Sequence, residues 1–326
     1  MVLKVGIKNY YKDHEKSLIR KEMRKILITG GSGMIGTRLT RMLLDKRYEV
    51  THHGRGGKNS DVPSYIWDIR AHKIDASAFD GVDTIIHLAG ANVGDKRWTN
   101  NRKREILESR THSTRLLYEY LRKEQHGIKN FVSASAIGYY GFANDDKFFT
   151  EVDSPGSDFL ADVVKRWEAE VDEIARLGIR TAKVRVGIVL SREEGVLKEI
   201  ARTVKFHVGA PLGKGTQQLS WIHVDDVCRV FLLAAEKQSL SGPLNAVAPN
   251  PVSNADLTKA IARTLDRKIL LPPVPGFLLR IVLGEMGDLA VNGNSVSNEK
   301  LMKEGFTYKF PDLQSALVDL LRLRKR

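Results

Sequence analysis

The sequence predicts an α/β chain: a doubly wound parallel sheet with a small C-terminal α/β cap. Three observations predict it. A glycine-rich run, Gly30-Gly31-Ser32-Gly33-Met34-Ile35-Gly36, stands between the apolar run Ile26-Leu27-Ile28 and the amphipathic run Thr37–Leu44. Strand-like and helix-like segments then alternate as far as Leu190, the pattern of a parallel sheet covered on both faces. From Ser191 the alternation gives way to Gly209, Gly213 and Gly215, and Pro272-Pro273-Val274-Pro275 marks a later corner. These shifts divide the chain into an extension (residues 1–22), a sheet domain (23–190, with 219–248 returning to it) and a cap (191–218 and 249–326).

A strand, a glycine turn and a helix start occur here in the order a dinucleotide-binding unit requires. Gly31 is expected to permit the tight turn, Gly33 to let a pyrophosphate approach the backbone, and Gly36 to bring the helix close to its strand. The helix N-terminus, with its free N–H groups and positive dipole end, then faces the phosphates.

The second strand, Tyr48–His53, ends at Gly54-Arg55. A carboxylate here would accept from a ribose 2′-OH and repel a 2′-phosphate. The chain instead offers Arg55 and Lys58, with no acidic residue before Asp61, which favours NADP(H) over NAD(H). The alternative for Arg55 is a solvated loop charge. Tyr65-Ile66-Trp67 forms a third strand, closed by Asp68, which either meets the adenine or forms a turn. Asp83–Gly90 follows as an apolar strand ending in small residues. Next come a basic connection from Lys96 to Arg110, a helix over Thr111–Glu124, a strand over Phe131–Ser135, a helix over Phe159–Leu177 and a strand over Thr181–Leu190.

Composition narrows the function. At 326 residues, with 42% hydrophobic residues, a large domain plus a smaller one is the default. No apolar run approaches membrane-spanning length, and no signal peptide with a small-residue cleavage site is visible. A single cysteine, Cys228, excludes an internal disulfide and a cysteine zinc site and suits a reducing, cytoplasmic setting; it reads as a small helix residue rather than a nucleophile. The net charge of +13 is concentrated at the ends, residues 1–25 and 316–326 together holding +8. Basic ends without a nucleic-acid-binding motif are solvated faces or weak polyanion contacts, not sequence readers. Met23 looks like a natural start, and the acidic residues Asp13, Glu15 and Glu22 argue against a transit peptide in the extension.

Further motifs complete a set: His87-Leu88-Ala89-Gly90-Ala91, Arg97-Trp98, Glu105 with Ser109-Arg110, and Ser133-Ala134-Ser135-Ala136-Ile137-Gly138-Tyr139-Tyr140-Gly141. Asp158-Phe159-Leu160 with Trp167-Glu168, Arg185–Leu190, Ser220-Trp221-Ile222-His223 and Asn245–Pro251 follow. From about Met23 onward the chain resembles the extended short-chain dehydrogenase/reductase superfamily. More narrowly, it resembles the atypical epimerase-family branch, related to sugar-nucleotide epimerases and also known by cell-division inhibitor names. The resemblance implies a Rossmann domain with a substrate cap. It implies that Gly30, Gly33, Met34, Ile35 and Gly36 hold the pyrophosphate and that Gly54 and Arg55 hold the 2′-phosphate. Leu88, Ala89 and Gly90 would line the nicotinamide-side ribose, with Glu105, Arg110 and Val189 along the same cleft. Arg110 would neutralise a phosphate, and Glu105 would accept from a ribose hydroxyl or hold Arg110; a surface ion pair on a helix is the alternative for both.

One departure stands out. Ordinary members carry Ser/Thr and Tyr-x-x-x-Lys, the lysine lowering the tyrosine pKa for proton transfer. Here Ala136 occupies the Ser/Thr position, with Ser135 one residue away; Leu160 and Val164 occupy the tyrosine and lysine positions, with Lys165 one residue out of register. The candidates for replacement acid/base chemistry are Ser135, Tyr139, Tyr140 and His223, against packing roles for the tyrosines and a structural role for the histidine. Asp225 and Asp226 read as helix caps, and Lys214 and Gln217 as sensors of an anionic substrate. His52 and His53, adjacent on a strand, point to opposite faces, so no metal site is expected. Two functions follow: an NADP(H)-dependent oxidoreductase or epimerase acting on a small substrate, sugar nucleotides included, with non-standard acid/base residues; or an NADP(H)-binding sensor with little turnover. A monomer or homodimer is expected, with no membrane and no specific nucleic-acid partner.

Overall fold

The computed structural model describes residues 25–54, 62–143 and 147–322. The first strands are β1 (Lys25–Thr29), β2 (Glu49–Gly54), β3 (Ser64–Asp68), β4 (Lys73–Ile74), β5 (Val82–His87) and β6 (Asn130–Ala136). They are followed by β7 (Phe148–Phe149), β8 (Arg180–Val186), β9 (Ile188–Leu190), β10 (Gln218–Leu219), β11 (Trp221–His223) and β12 (Gly242–Ala246). The central sheet has eight strands in the order β12-β8-β6-β5-β1-β2-β3-β4, parallel throughout except for the β3–β4 edge hairpin.

Strand β1 shows why both faces must be covered. Ile26 and Ile28 enter one core with Leu39 and Leu43 of α1 (Met34–Asp45), whereas Leu27 enters the opposite core. That second core holds Leu116 and Leu117 of α2 (Asn100–Lys123) and Trp167 and Val171 of α3 (Phe159–Ala175). Alternate residues of a strand point to opposite faces, and apolar residues on both make this a buried parallel sheet. Two more helices, α4 (Val196–Lys205) and α5 (Val224–Glu236), follow β9 and β11; α5 packs beside α1 with Val227, Val230 and Phe231 in the first core. A further core joins Leu197 and Val204 of α4 to Leu257 and Ile261 of α6 (Asn254–Thr264) and Leu317 of the C-terminal helix Leu313–Leu321, with Leu190 of β9 and Trp221 of β11 beside them.

Two elements differ from the sequence expectation. The helix expected over Thr111–Glu124 begins at Asn100, where the Thr99 hydroxyl accepts from Arg102 N at 3.2 Å. Its first turns bury Arg102 and Ile106 and turn Ser109 and Arg110 inward, so polar residues on the inner face hide the apolar period. The strand expected over Thr181–Leu190 is broken at Gly187. A Cβ there would lie 2.5 Å from the Ser220 carbonyl oxygen, so only glycine lets the chain leave β12 and pair as β9 with β11.

Candidate dinucleotide site and adjoining cavity

The turn between β1 and α1 allots its glycines differently from the expectation. The left-handed backbone (φ +73°) belongs to Gly30, and a Cβ on it would lie 2.9 Å from Ala89 N. Gly31 makes no such turn; it clears the His52 ring, which would sit 2.5 Å from its Cβ. Gly36 holds the helix tight on the turn, since its Cβ would lie 2.4 Å from the Gly30 carbonyl oxygen. Gly33 is the exception. Its backbone is ordinary (φ −79°, ψ 173°), and a Cβ would meet nothing closer than the Gly30 oxygen at 3.4 Å. Packing among the described residues does not demand a glycine there.

Gly33 is also the N-cap of α1. No side chain among the described residues caps it, and the first turn carries no acidic residue. The N–H groups of Met34 and Ile35 therefore face outward at the positive end of the helix dipole, a ready anion site. Across the strand ends, Leu88 N donates to Thr29 O at 3.0 Å, so Leu88, Ala89 and Gly90 leave β5 beside this turn. Gly54 ends β2, and none of the described residues comes within 4 Å of the place its Cβ would take. Arg55, Lys58 and Asp61 lie outside the described residues, as does the extension 1–22. Asp68 is a turn former: its carboxylate accepts from Arg70 N at 2.9 Å and Ala71 N at 3.0 Å.

Arg110 reaches this cleft from α2. Its Cζ would lie 3.2 Å from a Cβ on Gly90, its Nη1 donates to Ile106 O at 2.9 Å, and it lies 5.3 Å from the Trp167 ring centre. No carboxylate among the described residues pairs with it. Burial, and then the neighbouring Arg102, push the guanidinium down to about 10. Glu105 does not hold Arg110. It is exposed and pairs with Arg102 at 2.6 Å, a surface ion pair that holds its carboxyl below the usual range. Val189 in β9 packs between the core shared with α1 and the core shared with α4 and α6.

A cavity of about 240 Å³ opens at the carboxyl ends of β6 and β8. Ala136, Leu160 and Val164 line it, so the three positions that carry Ser/Thr, Tyr and Lys in ordinary relatives here present a methyl and two branched alkyl groups. Lys165 points away and is exposed, 3.8 Å from Asp162. The suggested replacements do not converge on this cavity. Ser135 is buried and donates to Glu168 at 2.6 Å. Tyr140 is buried, donates to Asn245 at 2.7 Å and accepts from Arg185 at 2.9 Å; burial pushes its phenol up to about 12, a group that keeps its proton. Tyr139 stacks its ring 3.5 Å from the Arg185 guanidinium. At the centre, Arg185 forks onto both oxygens of Glu168 at 2.8 Å, a buried pair satisfied on both sides. His223 faces a different groove, along α1. It caps α5 by accepting from Asp225 N at 2.9 Å, stacks 3.8 Å from Phe310, and is pushed down by burial.

The expected caps and anion sensors also change roles. Asp225 binds Arg38 at 2.6 Å and Lys309 at 2.9 Å; burial raises its carboxyl, but these two cations more than offset it and hold it at about 2. Asp226 accepts from Lys309 N and Phe310 N, tying the C-terminal segment to α5. Gln217 is locked onto the Leu212 and Ala290 carbonyls, while Lys214 is exposed. Cys228 is buried, and burial pushes its thiol up. His52 and His53 do face opposite ways, toward Thr40 and Trp67, and no metal-ligating group of three converges among the described residues. No helix among the described residues is long and apolar enough to cross a membrane.

Residues that sequence reasoning missed form the far wall of the cavity. Asn294 donates to the Gly141 carbonyl at 2.8 Å and Ile137 at 3.3 Å, clamping the loop after β6. Gly293 lies so close to Gln218 that a Cβ would overlap its carbonyl oxygen. The run Asn292-Gly293-Asn294 is the only local signal of this turn.

The family model for the NAD dependent epimerase/dehydratase family matches residues 26–246. The chain belongs to that family. It is an atypical extended short-chain dehydrogenase/reductase of the epimerase-family branch. Residues 274–320 also match a domain of unknown function, DUF1731. The Bacillus subtilis epimerase family protein YfhF is 35% identical over 302 residues, 92% of this chain and 99% of that protein. The human epimerase family protein SDR39U1, solved with NADPH, superposes with a TM-score of 0.81 at 28% identity, covering 91% of this chain and 98% of that one. MoeE5, solved with UDP-glucose and NAD, shares the fold at 20% identity and a TM-score of 0.75, over 91% of this chain and 97% of that one. These likenesses support a nucleotide-binding, oxidoreductase- or epimerase-like role.

Proposed function

We propose that the chain binds NADP(H) across the β1–α1 turn and acts as an oxidoreductase or epimerase on a small substrate with non-standard acid/base groups. The observation that carries the coenzyme reading is the uncapped α1 N-terminus beside Gly33, whose Cβ position the protein leaves open. Gly30, Gly33, Met34, Ile35 and Gly36 hold the pyrophosphate; Leu88, Ala89 and Gly90 flank the nicotinamide-side ribose, with Arg110 and Val189 beside it. The NADPH in SDR39U1 supports the phosphorylated coenzyme, and NAD in MoeE5 makes the comparison of both forms the relevant test. When bound, the coenzyme supplies two-electron redox chemistry; the protein's part is to bind, orient and exclude water.

Arg55→Asp should weaken NADPH binding far more than NADH binding, read by the change in nicotinamide fluorescence on titration. Equal losses would remove Arg55 from the 2′-phosphate site. A second reading, a coenzyme-binding sensor without turnover, is favoured by Leu160 and Val164 at the acid/base positions. Incubation with NADPH and a panel of carbonyl compounds and sugar nucleotides separates the two: loss of the nicotinamide absorbance, or an altered sugar, supports the enzyme, and tight binding without either supports the sensor.

A further inference from the structure

We propose that the cavity at the carboxyl ends of β6 and β8 receives a compact, largely apolar ligand bearing one anionic group, with that anion on Arg110, and that it turns away sugars. The proposal rests on the reading above only in placing this cavity next to the coenzyme cleft.

The walls make the first argument. Ile137, Leu160, Val164, Val186, Ile188 and Leu219 supply most of the lining. Several of the polar side chains that line it spend their donors or charge on the fold. Asp158 accepts from Ala161 N and Phe142 N, both at 3.0 Å. Asn294 spends its amide hydrogens on the Ile137 and Gly141 carbonyls. Ser220 donates to Asn294 O and accepts from Val296 N, both at 3.0 Å. Gln218 donates to Thr216 O at 3.4 Å. A pyranose placed here would bury hydroxyls against alkyl groups, and a buried hydroxyl without a partner is costly.

Arg110 makes the second argument. Its Nη1 is used by a carbonyl of its own helix, which leaves Nε and Nη2 as donors at the cavity edge. It is the one cation lining the cavity among the described residues, and it has no carboxylate partner there. The low-dielectric wall around it strengthens its attraction for an anion. The volume of about 240 Å³ is the third argument, since pockets for drug-sized ligands begin at roughly 300 Å³. One or two fused rings fill that space, whereas a nucleotide sugar would extend beyond it.

The test uses 2-naphthoate, 2-naphthalenemethanol and UDP-glucose as probes, titrated calorimetrically into the full chain with and without saturating NADPH. Naphthoate should bind in both states and more tightly than the neutral naphthalene, with no heat from UDP-glucose. Gly138→Ala places a methyl 3.6 Å from Leu160 Cβ and 3.9 Å from Val164 Cγ2, ordinary contact that fills the cavity without strain. It should keep its melting temperature and weaken naphthoate on the order of tenfold. Arg110→Met should erase the preference for naphthoate over the neutral probe. UDP-glucose binding comparable to naphthoate, displacement of naphthoate by NADPH, or unchanged naphthoate affinity in both variants would each overturn the proposal. Failure of NADPH itself to bind would sink the coenzyme reading instead, and the naphthoate titration of the coenzyme-free chain would still judge the cavity.

Discussion

Two sets of strand ends along the same carboxyl edge of one parallel sheet treat their polar groups in opposite ways. At the end of β1 the backbone N–H groups of α1 are left open, the helix has no side-chain cap among the described residues, and Gly33 clears space that none of them fills. At the ends of β6 and β8 the polar side chains are paired among themselves, Ser135 and Arg185 on Glu168 and Tyr140 on Asn245, and alkyl groups face the cavity. An open polar surface is prepared for a partner that supplies the missing bonds; a satisfied network sets shape and leaves a dry wall. The buried groups nearest the second end are thus held by partners in the fold rather than presented to the cavity.

The contrast breaks most readily at Glu168. Glu168→Ala leaves Arg185 buried without its anion and should cost about 3–5 kcal/mol in urea unfolding. A loss below about 1 kcal/mol would show that the pair is not the anchor of this end. The opposite expectation holds at Gly33, where Gly33→Ala should cost at most about 1 kcal/mol of stability as an N-cap change yet lower NADPH affinity at least ~100-fold, about 2.7 kcal/mol. If stability falls and affinity does not, the open space at Gly33 serves packing rather than a ligand.

A more gradual effect, read as a slope, should appear with pH. Burial pushes His53 down to about 4 and His87 down to about 3, the Arg110 charge adding to the latter. The unfolded chain takes up these protons near pH 6.5 while the folded chain resists, so stability falls as pH drops from about 6.5 toward 4. Each histidine contributes a slope of up to ~1.4 kcal/mol per pH unit. His87→Gln should flatten the curve of melting temperature against pH; an unchanged slope would place the acid sensitivity elsewhere. Smallest of all, Thr99→Ala should cost about 1 kcal/mol by removing the cap of α2. No loss would contradict the helix start at Asn100.

The two ends also differ in how far they can be read from the sequence. The β1–α1 turn is local: strand, glycines and helix follow one another directly along the chain, so its geometry was legible even though Gly30, rather than Gly31, carries the left-handed turn. The missing tyrosine and lysine were legible too, because Leu160 and Val164 sit in a helix of regular register. The cavity was not. Its walls come from positions as distant as Val93 and Asn294, and no periodicity links them. The helix start at Asn100 was hidden because Arg102, Ser109 and Arg110 interrupt the apolar pattern on the inner face. Ser135 and Tyr140 looked reactive by residue type, and only their partners show that they are held in the core.

The proposed account depends on an anion clasp at α1 for the coenzyme pyrophosphate and on Arg55 after β2 for preference toward the phosphorylated coenzyme. A calorimetric titration of the unmodified chain with NADPH and with NADH tests it most directly. The account predicts saturable binding of both, with NADPH at least ~10-fold tighter, about 1.4 kcal/mol. No heat with NADPH, or tighter binding of NADH, would contradict it.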